Sequence, residues 1–304
     1  MKIFPVNLLK IVKSKTQTNI RLGKKNDGGY VILDGLDYDL LIGCGISNDD
    51  SFEHDFLKIH PNLKCFAFDG TINHIPHPHP NITFIKKNIG SSNTSETSNL
   101  EDLLENHHHI FLKMDIDGAE YPWLHSISEK QLLSLSQIVI EFHSNCFDLS
   151  EFDEYKTATL EKLLKTHYLV HLHGNNYKPV SSYFTERIFI GDSELNQKMI
   201  TLTNEYSKDT VMCICHGYPD TFSYTFNKHN LIITGPNNSS GWKQNLVGYI
   251  NMVKVPDVIE CTYVRKDLLK NIIENNDPIP GKFDQPNNPL DKDISLSGHP
   301  YNYL

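Results

Sequence analysis

The stretch Leu40-Leu-Ile-Gly-Cys-Gly-Ile-Ser-Asn-Asp-Asp50 runs from a short apolar, strand-like segment through two glycines into polar residues that open a helical period. A strand ending in Gly43-x-Gly45 and leading to a helix is the opening of a βαβ unit. The glycines let a ligand approach the backbone, and the helix start offers unpaired N–H groups. A dinucleotide fingerprint needs a third glycine where this chain has Asn48, and a pyrophosphate would then meet Asp49 and Asp50. A dinucleotide is therefore disfavoured.

Outward from that stretch, apolar β-prone runs alternate with helical segments. Strands are predicted at residues 39–42, 64–68, 82–86, 109–114, 137–142 and 168–173, and helices at 51–59, 98–105, 121–135 and 154–165. Ser98 followed by Glu101 has the spacing of a capping box. Ile110-Phe-Leu-Lys-Met and Ile138-Val-Ile-Glu-Phe are apolar enough for central strands buried on both faces. The expected fold is α/β, a mostly parallel Rossmann-like sheet with helices on both faces. The alternation fails over residues 181–253, which reads as a mixed α/β insertion, a lid or acceptor-recognition subdomain; a strand at 258–264 then completes the sheet. The domain proper is thus residues 1–180 and 254–304. The Pro/Asn/Asp-rich tail from Asn275 should carry little regular structure.

With 304 residues, 39% hydrophobic and 21% charged, the chain can bury a large core and is not disordered in bulk. A net charge of -9 disfavours nucleic acid as a partner. Six cysteines without a C-x-x-C pair fit free thiols in a reducing compartment. Lys10 and Lys13 interrupt the only N-terminal apolar run, and no stretch approaches a membrane span, so a cytoplasmic location is expected.

Asp69 ends the second strand, in Cys65-Phe-Ala-Phe-Asp-Gly, where an acid in a doubly wound sheet can accept both hydroxyls of an adenosine ribose. A Gly-x-Gly, a ribose-binding acid and no phosphate loop together select S-adenosylmethionine (SAM) over a dinucleotide. The alternative for Asp69 is a plain turn residue. Phe111-Leu-Lys-Met-Asp-Ile-Asp-Gly-Ala-Glu-Tyr then runs off the fourth strand and puts Asp115 at its carboxyl end, where open α/β sheets place reacting groups. Asp117 and Glu120 crowd the same corner, either as functional carboxylates or as a turn former beside Gly118 and a helix-start acid.

At this point the sequence resembles a known family. Lys113-Met-Asp-Ile-Asp-Gly-Ala-Glu-Tyr is similar to the K-x-D-[IV]-[ED]-G-A-E-[WY] signature of FkbM-type SAM-dependent methyltransferases. Arg21-x-Gly23, Asp27-Gly-Gly-Tyr-Val-Ile, Gly43-x-Gly45 and Ser51-Phe-Glu53 resemble the DGGY-bearing branch that includes methyltransferase-like protein 24. Ile140-Glu-Phe-His143, His171-Leu-His-Gly-Asn-Asn176 and Val255-Pro-Asp-Val-Ile-Glu-Cys-Thr-Tyr-Val-Arg-Lys266 agree with it, whereas residues 181–253 match nothing in it. The resemblance implies a class I methyltransferase fold, SAM as donor and O-methylation, often of sugar hydroxyls. Carried over, Gly43, Gly45 and Asp69 would bind the donor, with Asn88 as a further contact near the adenine. The DGGY turn with Tyr30 either closes over the donor or starts the sheet. Glu53 either touches the donor or only opens its helix.

An alcohol is a poor nucleophile at neutral pH, so a base or a metal should deal with its proton. Asp115, Asp117, Glu141, His143, His171 and His173 all fall near strand carboxyl ends. His143 is the preferred base because imidazole titrates near neutrality, with Asp115 orienting it or binding the acceptor hydroxyl. A divalent ion bridging Asp115, Glu141 and His143 is open but not expected beside ordinary hydrogen-bonded side chains. His74, His77, His79 and the run His107–His109 read as solvated loops, and Cys213-Ile-Cys-His216 as small residues of the insertion. The insertion's aromatics (Tyr218, Phe222, Tyr224, Phe226, Trp242) read as its own core, or else as a sugar-stacking wall.

The leading expectation is a SAM-dependent O-methyltransferase of a glycan or other hydroxylated acceptor. The competing ones are an inactive methyltransferase-like binding module and, through Asp115-x-Asp117, a D-x-D glycosyltransferase.

Overall fold

The computed structural model describes residues 5–143, 154–178, 180–190, 200–203, 212–214, 223–227, 230–234, 246–298 and 300–302. After a single 3-10 turn come β1 (Val12–Ser14), β2 (Asn19–Gly23), β3 (Gly29–Leu33), β4 (Leu40–Cys44), α1 (Ser51–Ile59), β5 (Cys65–Phe68) and β6 (Ile82–Ile85). The short β7 (Asn88–Ile89) and β8 (Thr97–Ser98) precede α2 (Glu101–Asn106), β9 (Ile110–Met114), α3 (Glu120–Ser126), α4 (Glu129–Leu132) and β10 (Leu135–Phe142). Then follow α5 (Glu154–Thr166), β11 (His167–Gly174), β12 (Val180–Ile190), β13 (Ile200–Thr203), β14 (Met212–Ile214), β15 (Ser223–Asn227) and β16 (Asn230–Thr234). β17 (Leu246–Pro256), β18 (Ile259–Arg265) and β19 (Ile272–Glu274) close the chain.

The chain divides into two compact units, residues 7–181 with 256–304, and residues 182–255 with the first six. The larger unit is built on a seven-stranded sheet of order β11-β18-β10-β9-β4-β5-β6, parallel except where β18 pairs antiparallel with β10 and β11. From β4 the chain moves outward to β5 and β6, then returns to β9 on the other side of β4. The neighbours β4 and β9 are therefore the switch point of the sheet, where open α/β proteins form a crevice at the carboxyl ends of their strands.

Every residue of β4, β9 and β10 is buried, as parallel strands covered on both faces must be. Lys113 and Glu141 are the charged residues within them, and both line the crevice described below. On one face α1 buries Phe52 and Phe56, one turn apart, against Phe111, with ring centroids at 5.7 and 4.4 Å. The hairpin β2–β3 joins the same core through Leu22, Tyr30 and Ile32. On the other face Tyr121 of α3 packs on Phe142, three positions along β10 from the Val139 of the first core and so on the opposite side. Helices thus cover both faces.

Two local expectations are corrected. Ser98 caps no helix: it lies in β8, and α2 starts after Leu100, which has φ 65 and no side-chain cap. The helix expected over residues 121–135 is two helices, because Ser128 and Gln131 form a capping box that starts α4 afresh. Among the described residues, the tail from Asn275 carries one isolated bridge, Ile279 to Leu296.

In the smaller unit, β12, β17 and β14 form one sheet and β13, β16 and β15 another. Its described elements are strands, where a mixed α/β composition was expected. Cys215, His216, Tyr218, Phe222 and Trp242 lie outside the described residues, as do the side chains of Cys213, Tyr224 and Phe226. No helix among the described residues is long and apolar enough to cross a membrane.

Candidate active site

The crevice at the switch point is a cleft of about 1080 Å³. Tyr30, Gly45, Asp69, Asn88, Asp115, Asp117, Glu141 and His143 line it. Gly43 and Glu53 do not. They pack on each other one layer beneath: a Cβ on Gly43 would collide with Glu53 Oε1. Glu53 is buried beside Lys113, and burial raises its pKa.

Gly45 is fixed by its surroundings. It has φ +76, its N–H donates to the Phe68 carbonyl at 2.9 Å, and a Cβ would collide with the Asp115 carbonyl oxygen. Glycine is therefore required for both backbone conformation and space. Lys113 Nζ donates to the Gly45 carbonyl at 2.6 Å, and the Asp115 N–H donates to the Cys44 carbonyl at 3.0 Å. The loop after β4 and the end of β9 are thereby locked together.

Asp69, at the end of β5, holds the same loop from the other side. Its Oδ2 accepts the N–H groups of Ile46 and Ser47 at 3.1 and 2.7 Å, and its Oδ1 accepts the Thr71 N–H and hydroxyl at 2.7 and 2.6 Å. Burial pushes its pKa up, but these bonds together hold it below the usual carboxylate value. Loop N–H groups occupied by a carboxylate, with Asp49 on the same wall, suit no phosphate. Asn88 sits beside this acid and accepts the Gly70 N–H at 3.1 Å.

The opposite end of the cleft is a carboxylate corner. The Tyr30 hydroxyl, buried beneath it, donates to Asp115 Oδ2 at 2.8 Å and approaches Glu141 Oε2 at 3.4 Å. Burial and the charges of Asp115 and Glu141 raise the tyrosine pKa well above its ordinary value, so it stays a donor. Asn175 donates to Glu141 Oε1 at 2.7 Å. Burial, then Asp115 and Glu260, push the Glu141 pKa up.

His143 is gripped from behind by Glu120, whose Oε1 accepts the imidazole Nδ1–H at 3.0 Å together with the N–H groups of Ile116 and Gly118, both at 3.2 Å. The other ring nitrogen, Nε2, faces Asp115 Oδ1 at 3.6 Å and Asp117 Oδ1 at 3.8 Å. Burial alone would lower the imidazole pKa, but the Glu120 bond and the charges of Glu141, Glu120 and Asp115 outweigh it and raise it to about 9.

The sequence left Asp115 either orienting His143 or binding the acceptor hydroxyl; in the structure Glu120 holds His143 Nδ1, and Asp115 faces the imidazole's outer nitrogen. Glu120 read either as a functional carboxylate or as a helix-start acid, and Asn175 and Lys113 carried no signal beyond their motifs. His171 and His173 are not among the residues lining the cleft: they bond the tail, His171 to Asp284 at 2.8 Å and His173 to Asp293 at 3.0 Å, His173 also meeting Glu260 of β18 at 3.2 Å. His77 is not merely solvated, since its ring and N–H bond the buried Asp50 at 2.8 and 2.7 Å.

Sheet order, switch-point cleft and strand-end carboxylates define an open, Rossmann-like α/β protein with a carboxylate-lined cleft at the carboxyl edge of its sheet. The methyltransferase FkbM domain matches residues 15–173, and the chain belongs to that family of methyltransferases. No curated protein matches the chain.

Proposed function

We propose that this chain is a SAM-dependent O-methyltransferase of the DGGY-bearing branch, acting on a hydroxyl of a sugar, glycan or similar acceptor. The observation that carries this reading is one cleft with two chemically distinct ends, a Gly45–Asp69 wall whose loop N–H groups are already held by a carboxylate and a corner of Asp115, Glu141 and His143. When bound, SAM supplies an electrophilic methyl group on a sulfonium.

Asp69 and Asn88 would receive the nucleoside, Asp69 sharing its oxygens between ribose hydroxyls and the loop. The acidic cleft suits a cationic donor and a neutral acceptor. In the transfer, the acceptor O–H bond and the sulfur–methyl bond break and an O–C bond forms; the pair of the broken bond stays on sulfur and the proton leaves into the carboxylate corner. The corner can position the hydroxyl for in-line attack, a large part of what such a reaction needs. Tyr177, exposed at the cleft mouth, offers a ring for a sugar face. The free thiols of the buried Cys44, Cys65 and Cys261 support a reducing, cytoplasmic setting.

The reading is tested by thermal melting with SAM and its demethylated product, followed by transfer of labelled methyl onto mono- and oligosaccharides. A ligand at about 100 times its Kd should add about 2.7 kcal/mol of stability and raise Tm by several degrees. No shift with either ligand sinks the reading, and a shift with sugar nucleotides alone favours glycosyl transfer. Donor binding without transfer to any acceptor favours the inactive binding module.

A further inference from the structure

We propose that Asp115, Glu141 and His143 form a binding site for one divalent cation of the Mn²⁺ and Mg²⁺ class, at the acceptor end of the cleft. One ligand atom from each of the three lies within 4.8 Å of the others. Ligand atoms on a coordination sphere of ~2.1 Å radius lie ~3.0 Å apart when adjacent and ~4.2 Å apart when opposite. The 3.6 Å from Asp115 Oδ1 to His143 Nε2 falls between these, so small rotations of the side chains would bring both atoms onto one ion.

Two observations outside the trio point the same way. The first is its support. Metal-binding histidines almost always give their other ring N–H to a carboxylate, a backbone carbonyl or water, which fixes the ring and raises its donor strength. Glu120 does this to His143 Nδ1, leaving Nε2 on the side of Asp115. Asn175 and Tyr30 hold Glu141 and Asp115 in the same manner.

The second is charge. Asp115, Asp117, Glu120 and Glu141 meet at this corner, against Lys113 and the imidazole. Lys113 Nζ is engaged by the Gly45 carbonyl and stands 4.0 Å from Asp115. Glu120 is fully buried, and its Oε2 has no hydrogen-bond partner among the described residues. Glu120 and Glu141 are buried here, Asp115 is part-buried and Asp117 stands at the exposed edge, and a divalent cation would balance the carboxylates taken out of water.

Two carboxylates and water suit Mn²⁺ or Mg²⁺, and one imidazole is compatible with Mn²⁺. The purpose assigned to the ion, to draw in and acidify the acceptor hydroxyl, rests on the methyl-transfer reading. Its binding does not.

Full-length protein stripped with chelator and titrated with Mn²⁺ alone, free ion being followed by electron paramagnetic resonance, tests the site. Saturable binding of a single ion is expected. Glu141→Gln and His143→Gln should each weaken it by at least tenfold, and Glu120→Gln by roughly 10–100-fold. His77→Ala, which removes a ring from the His-Pro loop, should leave it unchanged. Circular dichroism of each variant separates loss of the ion from loss of the fold. The proposal is overturned by no bound Mn²⁺ at about 1 mM, by binding that survives Glu141→Gln with His143→Gln, or by binding that His77→Ala removes. Donor binding measured separately in chelator keeps the two readings apart. Donor without Mn²⁺ overturns the cation site alone, and Mn²⁺ without donor overturns the methyltransferase reading alone.

Discussion

Glu120 Oε1 accepts a hydrogen bond from His143 Nδ1 at 3.0 Å while also holding the N–H groups of Ile116 and Gly118. One buried carboxylate therefore sets both the ring that faces the carboxylate corner of the cleft and the turn that carries Asp115 and Asp117. Replacing Glu120 by Gln keeps the shape and removes the charge. Methyl transfer should fall roughly 10–100-fold while the donor Kd stays within about twofold. Steady-state kinetics beside calorimetric donor binding reads the difference, and an equal loss in both would assign Glu120 to the fold alone.

Gly45→Ala should be among the most damaging single changes. The residue would need a strained backbone at φ +76, and its methyl group would displace the Asp115 carbonyl. A loss of at least ~2 kcal/mol in urea unfolding is expected, together with loss of donor binding. A variant as stable as the parent would show that the loop and the β9 end are not locked together.

Asp69→Asn keeps the size of the side chain but can no longer accept all four bonds from Ile46, Ser47 and Thr71. Stability should drop by about 1–3 kcal/mol, and donor affinity should drop with it. Because Asp69 lies at the far end of the cleft from His143, Mn²⁺ affinity should not change. Melting curves, donor titration and Mn²⁺ titration on the same preparation test the separation.

His173 gives the fold a pH dependence of definite sign. Burial would lower its pKa, but its bonds to Asp293 and Glu260, aided by nearby Asp284, raise it to about 10. The folded state thus holds the proton more tightly than the unfolded chain. The stabilisation is complete below pH ~6.5 and is lost as pH rises towards the folded value; at neutrality it is on the order of 3 kcal/mol. Tm should decline between those limits, and His173→Gln should lower Tm at pH 7 and flatten the decline. A parent protein whose Tm rises over that range would contradict the assignment.

Much of the sheet could be read from the chain. The predicted strand at residues 109–114 is β9 (Ile110–Met114), and the predicted helix at 51–59 is α1 (Ser51–Ile59), because apolar period and turn residues act within a few positions. Local signals also failed locally: Ser98 and Glu101 have capping-box spacing, yet Ser128 and Gln131 make the box, since spacing does not say which backbone will be helical. The hairpin β2–β3 was only half legible, its Asp27-Gly-Gly-Tyr turn leaving open whether Tyr30 faces ligand or sheet. Its hydroxyl reaches the site from beneath, tying Asp115 to Glu141.

The sequence by itself determined the main strands of the sheet, the strand-end glycine at Gly45 and the strand-end acids Asp69 and Asp115, because those follow from hydrophobic period and from where strands stop. Only the tertiary structure decided which groups act on one another. Tyr30 meets Asp115 across 85 positions, Asn175 meets Glu141 across 34, and Glu120 meets His143 across 23. Those pairings depend on β10 lying beside β9 and on the chain turning back at the switch point, which no local pattern encodes. The same long-range packing buried Glu53 behind Gly43, out of the cleft, and carried His171 and His173 to the tail.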